Sequence, residues 1–174
     1  HYEGLMVRSK TSIDLEILTQ ATKLQLIARA GAGLDKIDLA QAYQQNIKII
    51  NAPEGNRDAV GEQAVGMLLA LMHNVLRSDL EVRNKIWKRE ANRGIELMGK
   101  VVGIIGYGNM GRAFAQRLSS FGCEVIAYDK RPNRGDAYAR QVDMPEIYER
   151  AQILSLHIPL EDDTYELVDD AFLD

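Results

Sequence analysis

The chain has 174 residues, 46% hydrophobic, which is enough for a packed core in one large or two small domains and argues against disorder. Its 21 Lys and Arg against 25 Asp and Glu give a net charge of −4 without long single-sign blocks, arguing against nucleic acid or an anionic membrane as partner. No apolar run approaches the roughly 20 residues of a membrane span, and no basic segment leads into a secretory apolar stretch, so a soluble, cytoplasmic protein is expected.

The first fifty residues alternate short apolar strands with helices. Leu5-Met6-Val7 reads as a strand, and Ser12 to Ala21 as a short helix that Ser12 could cap. Leu24 to Ala28 reads as a second strand, Leu39 to Gln45 as a helix capped by Asp38, and Ile47 to Ile50 as a third strand. Strands alternating with helices predict a parallel α/β sheet.

Turn formers at Asn51-Ala52-Pro53-Glu54-Gly55-Asn56 end this pattern. A long helical stretch follows, with Val60, Ala64, Met67, Leu68, Leu71 and Val75 on one face, and Gly61 and Gly66 permit close helix packing. From Arg77 to Met98 the chain is polar and carries Trp87, the sole tryptophan, which suits either a subunit contact or packing over the core. The predicted domains are residues 1–53, a crossing helix and arm over 54–98, and a second α/β domain over 99–174.

The most informative stretch comes next. An apolar strand, Val101 to Ile105, runs into Gly106-Tyr107-Gly108-Asn109-Met110-Gly111. Gly106 allows a tight turn, Gly108 lets backbone approach a pyrophosphate, and Gly111 lets the following helix pack closely on the strand. The helix start offers unpaired N–H groups to phosphate. Ala113, Phe114, Leu118 and Phe121 keep helical spacing to Gly122, a plausible C-cap, before the strand Val125 to Tyr128. That strand ends at Asp129, 18 residues beyond Gly111, where a carboxylate accepts from a ribose 2′-OH and repels a 2′-phosphate. NAD is therefore expected over NADP, although Lys130 and Arg131 beside the acid could tolerate a phosphate.

Cys123 has no Cys or His beside it and reads as a small buried residue, not as a disulfide or metal site. A loop with Pro132 and Gly135 leads to a helix over Asp143 to Ala151 and a strand over Ile153 to His157. A complete dinucleotide sheet has two mononucleotide halves and only the first is visible, so the chain reads as an internal piece of a longer protein.

Several motifs occur together: Val7 to Thr11, Arg29 to Asp38, Asn51-Ala52-Pro53, Gly61-Glu62, and Trp87 through Gly111. Their order and spacing resemble the D-isomer-specific 2-hydroxyacid dehydrogenases over nearly all of the chain, and their wording is most similar to the D-3-phosphoglycerate dehydrogenase branch, which opens serine synthesis. The resemblance implies a partial flavodoxin-like substrate lobe followed by the first half of a Rossmann NAD-binding domain, with substrate and nicotinamide meeting in a cleft and homodimers built through the nucleotide lobe. It implies substrate contacts from Arg8, Ser9, Asn56 and the Ala32-Gly33 backbone, where consecutive N–H groups in a Gly-rich bend can also form an anion nest. On the cofactor side it implies Gly106, Gly108, Asn109, Met110, Gly111 and Asp129, with His157 and Pro159 in the loop beside the cofactor. Structural alternatives stand beside these roles: a solvated charge at Arg8, a turn cap at Ser9, backbone geometry at Gly31 and Gly33.

No residue of the chain is given a catalytic role. His157 falls in the cofactor loop, and the family's acid-base histidine, its glutamate partner and its carboxylate-binding arginine have no counterpart in this sequence, so the piece itself is expected to be inactive. Arg57 stands where the family usually has a small hydroxyl residue, which favours an anionic substrate. The alternatives are another dehydrogenase of the family, such as a glyoxylate or hydroxypyruvate reductase, and a non-catalytic NAD(H) sensor resembling the corepressors of this fold.

Overall fold

A computed structural model describes residues 2–173, which form two compact units divided between Asp58 and Ala59. The first unit contains β1 (Gly4–Val7), α1 (Leu15–Gln20), β2 (Leu26–Arg29), α2 (Leu39–Gln44) and β3 (Lys48–Asn51). Its three strands lie in the order β1-β2-β3, all parallel, with Gly4 opposite Leu26 and Leu26 opposite Lys48. Val7, Ile13, Leu18, Ile27 and Ile47 form its core.

Helix α1 is shorter than the predicted stretch over 12–21. It starts after Asp14, not Ser12, because the Asp14 carboxylate accepts from the Ile17 N–H at 3.1 Å. Ile13 is held outside the helix: its N–H donates to the Lys36 carbonyl, its carbonyl accepts from Asp38, and its side chain is only 1% exposed. Burial and two backbone bonds outweigh one more helical turn. The Asp38 cap on α2 is as expected, accepting from Gln41 at 3.0 Å. Strands β2 and β3 pair slightly later along the chain than their apolar runs predict, since Leu24 and Ile47 are buried just before pairing begins.

The second unit continues α3 (Arg57–Met72) from the first, then has α4 (Val75–Arg83), β4 (Val101–Ile105), α5 (Asn109–Leu118), β5 (Glu124–Tyr128), β6 (Arg140–Gln141), α6 (Met144–Arg150), β7 (Ile153–Leu156) and α7 (Asp170–Leu173). Its four parallel strands lie in the order β6-β5-β4-β7. The direction of winding thus reverses beside β4, and ligands of open α/β sheets bind outside the carboxyl ends of the strands at such a point. Phe114, Ala115 and Leu118 of α5 and Val102 and Ile104 of β4 are almost wholly buried in its main core.

The single long helix expected after residue 56 is instead two helices bent by 61°. The break is at Asn74, whose φ is +53° and whose side chain donates to the Arg93 carbonyl at 3.3 Å. The predicted apolar face is not buried as a whole even within α3: Leu68 is buried, whereas Met67 and Leu71 are exposed. Gly61 does serve close packing, since a Cβ there would lie 2.9 Å from the Ala113 carbonyl of α5, while Gly66 faces open space. Among the described residues no single helix is long and apolar enough to cross a membrane.

Strand β6 lies in the stretch the sequence predicts as loop. It is held by charge more than by periodicity: Arg140 pairs with Glu146 at 2.6 Å and Glu124 at 3.5 Å, and Arg150 pairs with both acids. The two arginines push the Glu146 carboxyl down to about 2. Helix α6 begins as expected, with Asp143 accepting from Glu146 N–H at 3.0 Å. Helix α5 ends at Leu118, with Ser119 as its C-cap, so Gly122 at φ +67° serves the turn into β5 and not the cap. Cys123 is half-buried, and that burial raises its thiol pKa.

Leu118 is fully buried and Leu76 is 79% exposed. Leu118→Ala is expected to lower stability by about 2–5 kcal/mol, and Leu76→Ala to change it by less than about 0.5 kcal/mol, as read from urea denaturation midpoints.

Candidate functional site

The site is built where β4 gives way to α5. Gly106 has φ +91°, and a Cβ there would lie 2.5 Å from the His157 carbonyl oxygen, so no L side chain fits this turn without strain. A Cβ on Gly111 would run into the Gly106 carbonyl and approach Ile104 Cγ2 at 3.1 Å, so the first turn of α5 lies directly on the strand end. Gly108 differs from both. It caps α5 without a side-chain bond, and a Cβ there would meet only Arg131 Nη2 at 3.8 Å. The first and third glycines are dictated by packing, and the middle one leaves open an approach to the N–H groups of Asn109 and Met110.

Asp129, directly after β5, is 8% exposed and carries four hydrogen bonds. Oδ2 accepts from Tyr107 N–H at 3.0 Å and Arg131 Nη2 at 3.4 Å, while Oδ1 accepts from Arg131 N–H at 2.9 Å and Arg131 Nε at 3.1 Å. Burial works against the Asp129 charge, but the Arg131 side chain and N–H, with the Tyr107 N–H, outweigh it and hold the carboxyl below its ordinary value. One carboxylate thereby ties the glycine turn to the end of the neighbouring strand.

A cavity of about 370 Å³ opens beside it, lined by Gly106, Gly108, Asp129, Met144, Ile158 and Pro159 among others. His157 lines it too. Its Nε2 lies 2.9 Å from Ser155 Oγ and its ring packs on Phe114 with centroids 5.4 Å apart. Burial lowers its pKa from 6.5, so the ring is neutral at pH 7. Lys130 pairs with Glu161 at 3.3 Å and Asp163 at 3.7 Å, strapping the loop that carries Pro159 to the end of β5. The open approach at Gly108, the start of α5 and the cavity beside Asp129 fit the pyrophosphate and adenosine of a dinucleotide.

In the first unit, Arg8 and Ser9 follow β1, Ala32 and Gly33 lie in the bend after β2, and Asn56 lies between β3 and α3, so all five gather at the carboxyl edge of that sheet. The Ala32 carbonyl accepts from Asn51 Nδ2 at 2.7 Å, and among the described residues the Ala32 and Gly33 N–H groups have no acceptor.

Sequence reasoning gave no site role to Arg29, Tyr107, Arg112 or Asp136. Arg29 folds over the bend, donating to the Ala30 carbonyl at 3.0 Å and reaching Ser9 Oγ at 3.5 Å. The buried Tyr107 donates its hydroxyl to Asp136 at 2.7 Å, and Arg112 meets the same carboxylate at 2.6 Å. Burial and the Asp136 charge raise the Tyr107 pKa. Nothing in the spacing marks Asp136, which lies in a loop; the buried aromatic inside the glycine motif was the available signal.

A parallel sheet with a glycine turn, a helix N-terminus and a carboxylate at its switch point defines a dinucleotide-binding half-domain. Residues 65–174 match the family described as D-isomer specific 2-hydroxyacid dehydrogenase, NAD binding domain. The chain belongs to that family, and its cofactor is NAD. It is 36% identical over 164 residues to a hydroxypyruvate reductase of Thermotoga maritima, covering 94% of this chain and 54% of that one. It is 38% identical over 172 residues to a D-3-phosphoglycerate dehydrogenase of Mycobacterium leprae, covering 96% of this chain and 32% of that one. Among solved structures it resembles an NAD-dependent formate dehydrogenase of Staphylococcus aureus in complex with NAD, at TM-score 0.82 and 27% identity over 98% of this chain and 53% of that one. The chain thus spans about half or less of the length of these relatives.

Because the His157 pKa is depressed on folding, the unfolded chain binds a proton first as pH falls below 6.5. His157 thus favours the folded state fully above pH 6.5, and this contribution declines from there down through the folded-state pKa. His157→Gln is expected to flatten the dependence of the urea midpoint between pH 7.5 and 5.5; an unchanged slope would show that the ring does not titrate as its burial requires.

Proposed function

We propose that the whole protein transfers a hydride between C2 of a D-2-hydroxy acid and NAD, with this chain supplying the adenosine and pyrophosphate site and part of the substrate cradle. The observation that carries the cofactor half is the Gly106 to Gly111 turn joined through Tyr107 N–H to Asp129. Asp129 takes the ribose hydroxyls, the N–H groups of Asn109, Met110 and the start of α5 take the pyrophosphate, and His157 and Pro159 bound the adenosine side. Arg8, Ser9, Asn56 and the Ala32 and Gly33 N–H groups, which have no acceptor among the described residues, hold the substrate. Bound, the nicotinamide supplies hydride chemistry; no residue of this chain is assigned the accompanying proton transfer.

The substrate we favour is D-3-phosphoglycerate, oxidised to 3-phosphohydroxypyruvate at the start of serine synthesis. Likeness to the Mycobacterium leprae enzyme over 172 residues supports this, as does Arg57 at the start of α3, one residue beyond Asn56. Its ion pair with Asp58 is long, at 3.8 Å, and exposed, so it holds the guanidinium weakly. Reduction of hydroxypyruvate or glyoxylate is the second reading, favoured by the 36% identity to the Thermotoga maritima reductase. A homodimer contact through the nucleotide unit is proposed as well, around Trp87, which is 80% exposed and does not pack over the core.

Two measurements test this. NADH is expected to bind the chain with fluorescence enhancement, and Asp129→Ala to weaken it about tenfold or more, the value of a charge-assisted hydrogen bond. In the whole protein, Arg57→Thr is expected to lower kcat/KM for D-3-phosphoglycerate more than for unphosphorylated D-glycerate; equal effects on both would remove the argument for a phosphorylated substrate.

A further inference from the structure

A second cavity, about 320 Å³, shares Gly108 and Arg131 with the first and is otherwise lined by Tyr107, Asn109, Arg112, Asn133 and Arg134. Three arginines and no acid face it. Arg131 and Arg112 are ion-paired, with Asp129 at 3.1 Å and Asp136 at 2.6 Å, while among the described residues the Arg134 guanidinium has no acidic partner. Counting Asp129 and Asp136 against the three arginines leaves one net positive charge, to which the N-terminus of the ten-residue α5 adds.

The state of Asp129 decides what this cavity can do. A carboxylate has about four lone-pair sites, and the four bonds from Tyr107 and Arg131 fill them. A ribose 2′-OH reaches Asp129 only by displacing the Arg131 side chain, which is 55% exposed and can leave. The acid that should exclude a 2′-phosphate is therefore neutralised by a side chain that also lines a basic cavity next to it. A hydroxyl gives these arginines little in return, whereas a phosphate dianion offers three acceptor oxygens for bidentate pairing.

We propose that the chain accepts a 2′-phosphorylated dinucleotide as well as NAD, with the phosphate held by Arg131 and Arg134 in this cavity. Arg131 is the selector, lying on Asp129 or on the phosphate. The inference rests on the dinucleotide reading of the same site, and the test separates the two.

Titrating the chain with NADH, NADPH, 5′-AMP, adenosine 2′,5′-bisphosphate and inorganic phosphate is the experiment. NADPH is expected to bind within about tenfold of NADH, and adenosine 2′,5′-bisphosphate more tightly than 5′-AMP. Arg134→Ala should raise the ratio of the NADPH to the NADH Kd about tenfold, the effect of one charge-assisted bond. Arg131→Ala should raise it further, because it weakens NADPH while letting NADH reach Asp129 unopposed. NADH binding with NADPH a hundredfold weaker, or a ratio unmoved by either variant, overturns this inference and leaves the NAD site standing. Inorganic phosphate saturating the chain as well as the bisphosphate does would mark a site for free anions and overturn it too. If neither dinucleotide binds, both readings fall.

Discussion

The contact between the Tyr107 N–H and Asp129 Oδ2 is the joint on which the nucleotide unit depends. A glycine turn has little intrinsic rigidity, and an acid at a strand end is normally exposed. Here each fixes the other, because the buried carboxylate needs donors and the turn has an N–H to give. The same residue anchors the opposite side of the motif through its hydroxyl on Asp136, which Arg112 of α5 also grips. Tyr107 thus links β5, the loop after it and α5 by one backbone and one side-chain bond. The turn is pinned by these bonds, whereas the Arg131 side chain lies half in solvent and is adjustable.

Packing imposes the rest. The His157 carbonyl stands where a Cβ on Gly106 would go, and the Gly106 carbonyl stands where one on Gly111 would go. The loop after β7, the turn and α5 are therefore in contact, and that closeness leaves no room for side chains at Gly106 and Gly111. His157 gains its burial from this arrangement. Its ring rests on Phe114 and its Nε2 is engaged with Ser155, which suits a neutral imidazole that shapes a wall better than one that exchanges protons.

Legibility in the sequence followed the physical range of each feature. The strand, glycine turn, helix and acid from Val101 to Asp129 could be read because each obeys a local rule of spacing, and the Asp38 and Asp143 caps could be read for the same reason. What escaped depended on partners distant in sequence. Ile13 leaves the helix for a bridge with Ile37, β6 is two residues held by Glu124 and Glu146, and the bend at Asn74 is met by a bond to Arg93. At the site, the acid was legible but its occupancy was not. That Arg131 fills Asp129 depends on a side chain folding back two residues, which no spacing rule encodes.

The two units share one physical device suited to anions. Each is a parallel sheet whose carboxyl edge ends in a bend, and in each the bend turns backbone N–H groups toward open space: Ala32 and Gly33 after β2, and the first turn of α5 after β4. Backbone donors carry no net charge, so they bind anions without the desolvation cost of a buried cation. They are also indifferent to what is attached to the anion. Under the proposed function, discrimination falls to charged side chains near the bends in sequence, Arg8 and Arg57 in the first unit and Asp129, Arg131 and Arg134 in the second. Asp129 is fixed by four hydrogen bonds, whereas the Arg57 ion pair is long and exposed and the Arg131 side chain lies half in solvent, so the backbone of the bends is held more firmly than the cations beside it.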